Sequence, residues 1–373
     1  MTEDEVAAAS EAIRSGWITM GYKTLEFENS FRDFLKAGNA VSMNSGTAAL
    51  HLALKVLDLK QNDEVIMPAM TFAATAEVAT YFGAKPVFAD IDRNTHNISA
   101  GGIDALITKK TRAIIPVHYG GMPCDIESIM SLARERKIKV VEDAAHSLPA
   151  WYGNRMIGTI GDITCFSFYA TKPLATGEGG MAVTENDAWA DRMRKLRLHG
   201  ISRDAWKRYT LEGTWVYDVD EPGYKYNMTD INAAIGIEQL KKVMLMRDMR
   251  RAIAEKYTSA FSNCDQLIPY AEGPGVRSSW HLYPLKLNIE SLKISRDEFI
   301  LLMKERQIGT SVHFIPLYRF SYYKNFCPGP ENFANCEWVF ERCVSLPIYP
   351  AMAENEVDYV TDNVLDIVKR NKR

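Results

Sequence analysis

The stretch Val140-Val141-Glu142-Asp143, followed by Ile163-Thr164-Cys165-Phe166-Ser167-Phe168 and then Tyr169-Ala170-Thr171-Lys172-Pro173, decides how this sequence folds. Each apolar run has the length and β-branched or aromatic content of a strand, and neither alternates with polar residues. Continuously apolar strands are expected where helices cover both faces of a sheet. One run ends on a carboxylate, the other leads to a lysine stopped by proline, which cannot continue a regular ladder.

Working outward, the same kind of run recurs at residues 40–43, 64–67, 85–89 and 113–117, and 138–142 frames the first stretch. Between them, Thr47 to Val56, Ala73 to Phe82 and Ile126 to Arg136 carry apolar residues at helical spacing. Strands alternating with helices read as crossover units, so the fold class is α/β with a mostly parallel sheet between helices. After Asp187 the pattern turns helical, with Ala188 to Leu198, Thr229 to Val243 and Arg247 to Phe261. Residues 280–287 and 309–314 then read as strands flanking a helix from Arg296 to Arg306, and Glu354 to Lys369 reads as a closing helix. The division is a large domain over residues 1–245 and a smaller α+β C-terminal domain over 246–373. No repeat of fixed period is found.

Composition narrows the function. With 373 residues, 47% hydrophobic and 24% charged, the chain has material for two cores and no disordered bias. A net charge of -3 gives no overall field for nucleic acid or an anionic membrane. The six cysteines are scattered without a C-x-x-C pair, which weakens metal and disulfide readings and favours a reducing compartment. The start, Met1 to Val6, is acidic and lacks an apolar signal core, and no run approaches the roughly 20 apolar residues of a membrane span. The expectation is a cytoplasmic protein without nucleic-acid, membrane or metal partners.

Several motifs carry chemistry, each with a plainer reading beside it. Asn44-Ser45-Gly46-Thr47-Ala48 joins a strand to a helix through small residues, which suits a phosphate at the positive end of the helix dipole, or simply a Ser/Thr cap. Phe72 can stack on a flat ring or fill a core. Asp143, at the carboxyl end of an apolar strand, lies where open α/β sheets bind ligands; a buried carboxylate there needs a partner such as a protonated pyridinium, unless it caps a helix. His146 lies three residues on, as a donor or a structural histidine. Lys172 precedes the glycine-rich run Thr176 to Gly180, where glycines permit close backbone approach, and an aromatic run precedes it. A lysine amine can hold an aldehyde cofactor and a fixed anion can keep its ring nitrogen protonated, so Lys172 with Asp143 suits pyridoxal phosphate. Lys225 and Asn227, just ahead of a helix capped by Thr229 or Asp230, fit ligand contact and a structural cap equally.

Together these segments, from Ser15-Gly16-Trp17-Ile18-Thr19-Met20-Gly21 to Ser345-Leu346-Pro347-Ile348-Tyr349-Pro350, resemble the DegT/DnrJ/StrS-type nucleotide-sugar aminotransferases. These are pyridoxal-phosphate enzymes of fold type I. The resemblance implies Lys172 as the Schiff-base lysine and Asp143 as the pyridinium partner. His146 falls beside the phenolic oxygen, where many relatives have Gln. Thr47, Ala48 and Ser167 fall on phosphate contacts and Phe72 on the ring-stacking aromatic. Asn227 or Lys225 would reach the phosphate of a neighbouring subunit, implying a homodimer with shared sites; the order here is Lys-Tyr-Asn where many relatives read Asn-Tyr-Arg. His313 and Tyr318 fall on substrate contacts, although a second histidine is common at the latter. Gly223 to Ala234, Leu198 to Ile201 and Asp204-Ala205-Trp206 are similar to the branch making UDP-4-amino-4-deoxy-L-arabinose for lipopolysaccharide. Relatives carry a longer arm ahead of the first helix.

The resemblance implies amino transfer from an amino acid, glutamate, to a UDP-4-keto sugar. Two alternatives stand beside it. A sugar 3-dehydratase of the same fold would carry histidine where Lys172 stands. A cofactor-binding sensor without turnover would need no substrate site, but no DNA-binding segment is recognisable.

Overall fold

The computed structural model describes residues 1–201, 217–327 and 329–373, so the Asp204–Trp206 segment lies outside the described residues. The large sheet is built from β1 (Asn39–Met43), β2 (Glu64–Pro68), β3 (Lys85–Ala89), β4 (Thr111–Ile114) and β5 (Lys139–Asp143). After the short hairpin β6 (Trp151–Tyr152) and β7 (Arg155–Met156), β8 (Ile163–Ser167) and β9 (Gly180–Thr184) complete it. Its order is β1-β9-β8-β5-β4-β2-β3, seven strands among the described residues. Every neighbouring pair from β8 to β3 is parallel, whereas β9 runs antiparallel to both β1 and β8. This is the mostly parallel α/β sheet of fold type I.

Helices α1 (Glu3–Arg14), α2 (Tyr22–Leu35), α3 (Gly46–Val56), α4 (Ala73–Thr80), α5 (Ala100–Asp104), α6 (Ile126–Arg136) and α7 (Asp187–Leu196) accompany the sheet. α3 is buried along nearly its whole length, as its sequence of Ala and Leu with one Lys requires. α2 lays Phe27 and Phe31 against Phe166 and Phe168 around β8, with ring centroids 5.3 to 5.9 Å apart and edge-on. Such pairs each contribute about 0.5–1.5 kcal/mol beyond burial. They fix the strand from which the Lys172 loop departs.

The helix α8 (Asp230–Phe261) is continuous through residue 245, where two helices were expected. Nothing between Val243 and Arg247 breaks it, because Met244, Leu245 and Met246 are good helix formers and no Gly or Pro intervenes. Its first turn ties to the start of α2: Asp230 Oδ1 accepts from Gly21 N at 2.7 Å and Thr24 Oγ1 at 2.6 Å. The first apolar core includes Val243 on this helix, and the second begins at Ile253. The second core is closed by β10 (Leu267–Ile268), β12 (Tyr283–Leu287) and β13 (Cys343–Leu346), reached past β11 (Val276–Arg277), with α9 (Arg296–Glu305) and α11 (Glu354–Arg370). Leu317, Tyr323 and Phe333, together with Val339 of α10 (Ala334–Arg342), pack instead into the first core.

Two expected strands differ. Residues 113–117 are strand only to Ile114, because Pro116 has no N–H to give. Pairing nevertheless resumes: Asp143 N donates to Pro116 O at 2.9 Å, and Val117 bridges Asp143. Residues 309–314 form only the bridge Ser311–Ser345 before the chain turns toward the sheet. Strand β9 was not expected at all.

Candidate active site

The carboxyl ends of β5 and β8, the start of α3 and the start of α4 converge on a cavity of about 410 Å³. Thr47, Phe72, Asp143, His146, Ser167, Lys172 and His313 all line it, as do Ser45, Thr75 and His281. A second cavity of about 690 Å³ lies toward Arg250 and the segment from Ser345 to Ala351, and shares Lys172, His281 and His313 with the first. Lys172 therefore stands in a wall common to both.

Asp143 is buried and doubly held. Its Oδ2 accepts from Thr75 Oγ1 at 2.8 Å and its Oδ1 from Ala145 N at 3.1 Å, while Thr75 Oγ1 lies 2.9 Å from Thr71 Oγ1. Burial raises its pKa, opposed by the Thr75 bond, the Ala145 amide and the Lys172 charge. An acid so placed gains from any cation set beside it. The Lys172 amine titrates near 8: burial lowers it, and Asp143 acts in the opposite direction. A usable fraction is therefore uncharged near neutrality.

His146 packs 4.3 Å from the ring of His281, and its Nδ1 accepts from Gly120 N at 3.2 Å. Burial drives its pKa well down, so the ring is neutral and its proton sits on Nε2. His313 places Nδ1 2.8 Å from Ser345 Oγ, and burial lowers its pKa to about 4. Two neutral imidazoles and a buried acid thus surround one amine.

At the other end, Ser45 caps α3, its Oγ accepting from Ala48 N at 3.1 Å. That bond occupies the Ala48 amide, and Ala48 does not line the cavity. Gly46 and Thr47 are left with first-turn amides that have no intrahelical partner. A β-carbon on Gly46 would stand 2.8 Å from Ser167 Cβ, so the glycine lets the helix start close onto the end of β8. The arrangement suits a phosphate. Phe72, 63% exposed, rims the cavity with its ring 6.2 Å from that of Phe314.

The remaining expected residues lie elsewhere. Tyr318 is stacked on Phe333 at 4.5 Å and donates to Glu337 Oε1 at 2.6 Å, facing neither cavity. The aromatic contact and the acid hold it on the side of α10. Lys225 is exposed and Asn227 buried, its Nδ2 3.4 Å from Met228 O, and neither lines the cavities of its own chain. Reading the sequence did not single out Thr75, His281 or Arg250. For Thr75 the one local signal was its place in the first turn of the helix that follows Phe72.

Comparison with known proteins identifies the family. The family model described as the DegT/DnrJ/EryC1/StrS aminotransferase family matches residues 1–365. The chain is 52% identical to the uncharacterized protein MJ1066 of Methanocaldococcus jannaschii over 99% of its length and 96% of that protein. It is 46% identical to the spore coat polysaccharide biosynthesis protein SpsC of Bacillus subtilis, covering 98% of this chain and 95% of that one. Spr1654 of Streptococcus pneumoniae, described as a candidate sugar aminotransferase and solved in its pyridoxamine phosphate (PMP) form, superposes with a TM-score of 0.93 at 34% identity, covering 99% and 98% of the two chains. It has also been solved in a pyridoxal phosphate form. The residues lining the first cavity fit that cofactor: an amine of lowered pKa, a buried acid wanting a cation, and a helix start suited to phosphate. The chain belongs to the DegT/DnrJ/EryC1/StrS aminotransferase family, a family of sugar aminotransferases that use pyridoxal phosphate.

Proposed function

We propose that this enzyme moves an amino group from an amino acid, glutamate, to a keto sugar carried on a nucleotide diphosphate, at C4 of a UDP-linked sugar. The observation that carries the reading is the position of Lys172, which lines both the cavity ending at Asp143 and the larger one beyond it. One cavity suits the cofactor; the other has room for two substrates taken in turn. SpsC, by its name, serves polysaccharide biosynthesis, which supports a sugar acceptor.

When bound, pyridoxal phosphate supplies an aldehyde that takes up the donor's nitrogen and a ring that stores the electron pair released at Cα. Lys172 tethers it at rest. Once displaced, the free amine takes the Cα proton of the donor and returns it one position away, a task for which a base titrating near 8 is well matched. Asp143 keeps a proton on the ring nitrogen by electrostatic pairing. His146 offers its Nε2 proton to the phenolic oxygen, the Gly120 amide fixing that tautomer. Thr47 and Ser167 hold the phosphate. The donor would leave as its 2-oxo acid, water supplying its keto oxygen, before the keto sugar enters; Lys172 would then run the proton transfer in reverse on the sugar, whose keto oxygen departs as water.

The reading includes a cytoplasmic homodimer in which Asn227 or Lys225 reaches the neighbouring site. The exposure of Phe72 and Tyr169 beside the cavity supports a covering partner. The deciding test is amino transfer from glutamate to a panel of UDP- and dTDP-linked 4-keto sugars, with borohydride reduction of the resting enzyme and peptide mapping. Labelling at Lys172 and transfer to a UDP-linked acceptor are expected; labelling elsewhere, or no transfer to any keto sugar, refutes the proposal.

A further inference from the structure

Arg250 is a buried guanidinium without a counter-ion among the described residues. It projects from α8 into the wall of the larger cavity and is only 6% exposed. Nη1 donates to Ile348 O at 2.7 Å, Nε has no acceptor, and among the described residues no carboxylate pairs with it. Other buried arginines do find acids: Arg197 bonds Glu28 and Arg342 bonds Glu290. Burial alone lowers the Arg250 pKa to about 10, so it stays charged near neutrality. An unpaired buried charge is costly unless something compensates it. His281, which lines both cavities, has its pKa lowered by burial first and then by the charges of His146, Lys172 and Arg250.

We infer that Arg250 is the carboxylate anchor of the amino acid donor, a specificity-determining residue that holds the donor's α-carboxylate while its nitrogen is at Lys172. Apart from Lys172 itself, Arg250 is the one Arg or Lys lining either cavity among the described residues. Every amino acid donor carries a carboxylate one bond from the reacting Cα, so the anion must come to rest within this cavity. A guanidinium fork suits it in geometry as well as charge. The inference rests on the aminotransferase reading and gives it a donor site.

The test uses holoenzyme without sugar, following single-turnover conversion of the pyridoxal to the pyridoxamine form, with L-glutamate and with n-butylamine, which lacks the carboxylate. In Arg250→Gln the ratio of glutamate to butylamine reactivity should fall about 10- to 100-fold, the range for a lost charge-assisted hydrogen bond. Calorimetric titration of glutarate, a readout independent of turnover, should weaken by a similar factor. Arg250→Lys, which keeps the charge without the fork, should fall between and serves if the Gln variant does not fold. An unchanged ratio with wild-type glutarate binding overturns the inference, as does a loss confined to the half-reaction with keto sugar, which would give Arg250 to the diphosphate. Should wild type convert with no amino acid at all, the functional reading fails instead; the two failures are distinct.

Discussion

Thr75 Oγ1 lies 2.8 Å from Asp143 Oδ2, so the first turn of α4 grips the acid that ends β5. The Thr71 hydroxyl backs Thr75 in turn. This chain of hydroxyls orients a carboxylate in a buried pocket without neutralising it, leaving its charge for a cation. Two adjacent strand-to-helix connections, one giving the acid and one its support, thus build a single ligand-facing group.

For Asp143→Asn the expected outcome is an enzyme that still takes up cofactor through Lys172 but barely turns over. Removing one member of a buried ion pair costs about 3–5 kcal/mol, which as transition-state stabilisation is roughly 10²–10⁴ in rate. Thr75→Val, which frees the acid without removing it, should lose far less. Single-turnover rates with glutamate check both, and an Asp143→Asn enzyme of wild-type rate would end the ring-nitrogen role.

The lowered pKa of Lys172 sets a pH window. Its folded value of about 8 lies below the ordinary lysine value, so the amine is protonated below about pH 8 and free above it. Capture of pyridoxal phosphate by the apoenzyme should rise about tenfold per pH unit up to about 8 and then level. By the same sign, the folded state binds fewer protons here than the unfolded chain, so this group's contribution to stability rises between about pH 8 and the ordinary lysine value. Stopped-flow absorbance reads the capture; a rate independent of pH from about 6 to 9 would contradict the burial of the amine.

The sheet was legible because its strands are continuously apolar, and that periodicity survives in Val140–Asp143 and Ile163–Ser167 with ends displaced by a residue or less. Gly180 to Thr184 escaped notice because its strand character is hidden behind glycines, whose use is spatial: a β-carbon at Gly180 would meet Ser45 O at 2.3 Å. The resemblance puts Tyr318 on the substrate, yet the ring of Phe333 and the acid of Glu337 hold it away from the two cavities that share Lys172, a tertiary effect that no local pattern carries. Arg250 reads in sequence as one more polar residue on a long helix; its lack of an acid is visible only when neighbours from Ile348 are in place.

That close approach at Gly180 predicts a defect that reaches the cofactor through the backbone. Gly180→Ala must push the Ser45 carbonyl, and overpacking of this kind costs about 1–3 kcal/mol. Because Ser45 starts α3, the phosphate cup should shift with it. A lower melting temperature together with weaker cofactor retention on dialysis is expected; loss of stability with full retention would separate the glycine from the cup.

The last prediction concerns what one subunit lends another. Asn227 and Lys225 precede α8, and the Tyr226 carbonyl between them accepts from Asn44 N at 2.7 Å, beside the phosphate cup, while neither side chain enters its own cavity. If Asn227 completes the neighbour's site, Asn227→Ala and Lys172→Ala damage opposite sites when carried on different subunits. Each variant alone should be poorly active. A mixed dimer then holds one site with both residues intact and one lacking both, so co-refolding equal amounts should restore activity to roughly a quarter of wild type, since about half the dimers are mixed and each has one good site. Activity of the mixture no greater than the mean of the two variants would place Asn227 and Lys172 in the same site, or Asn227 in none.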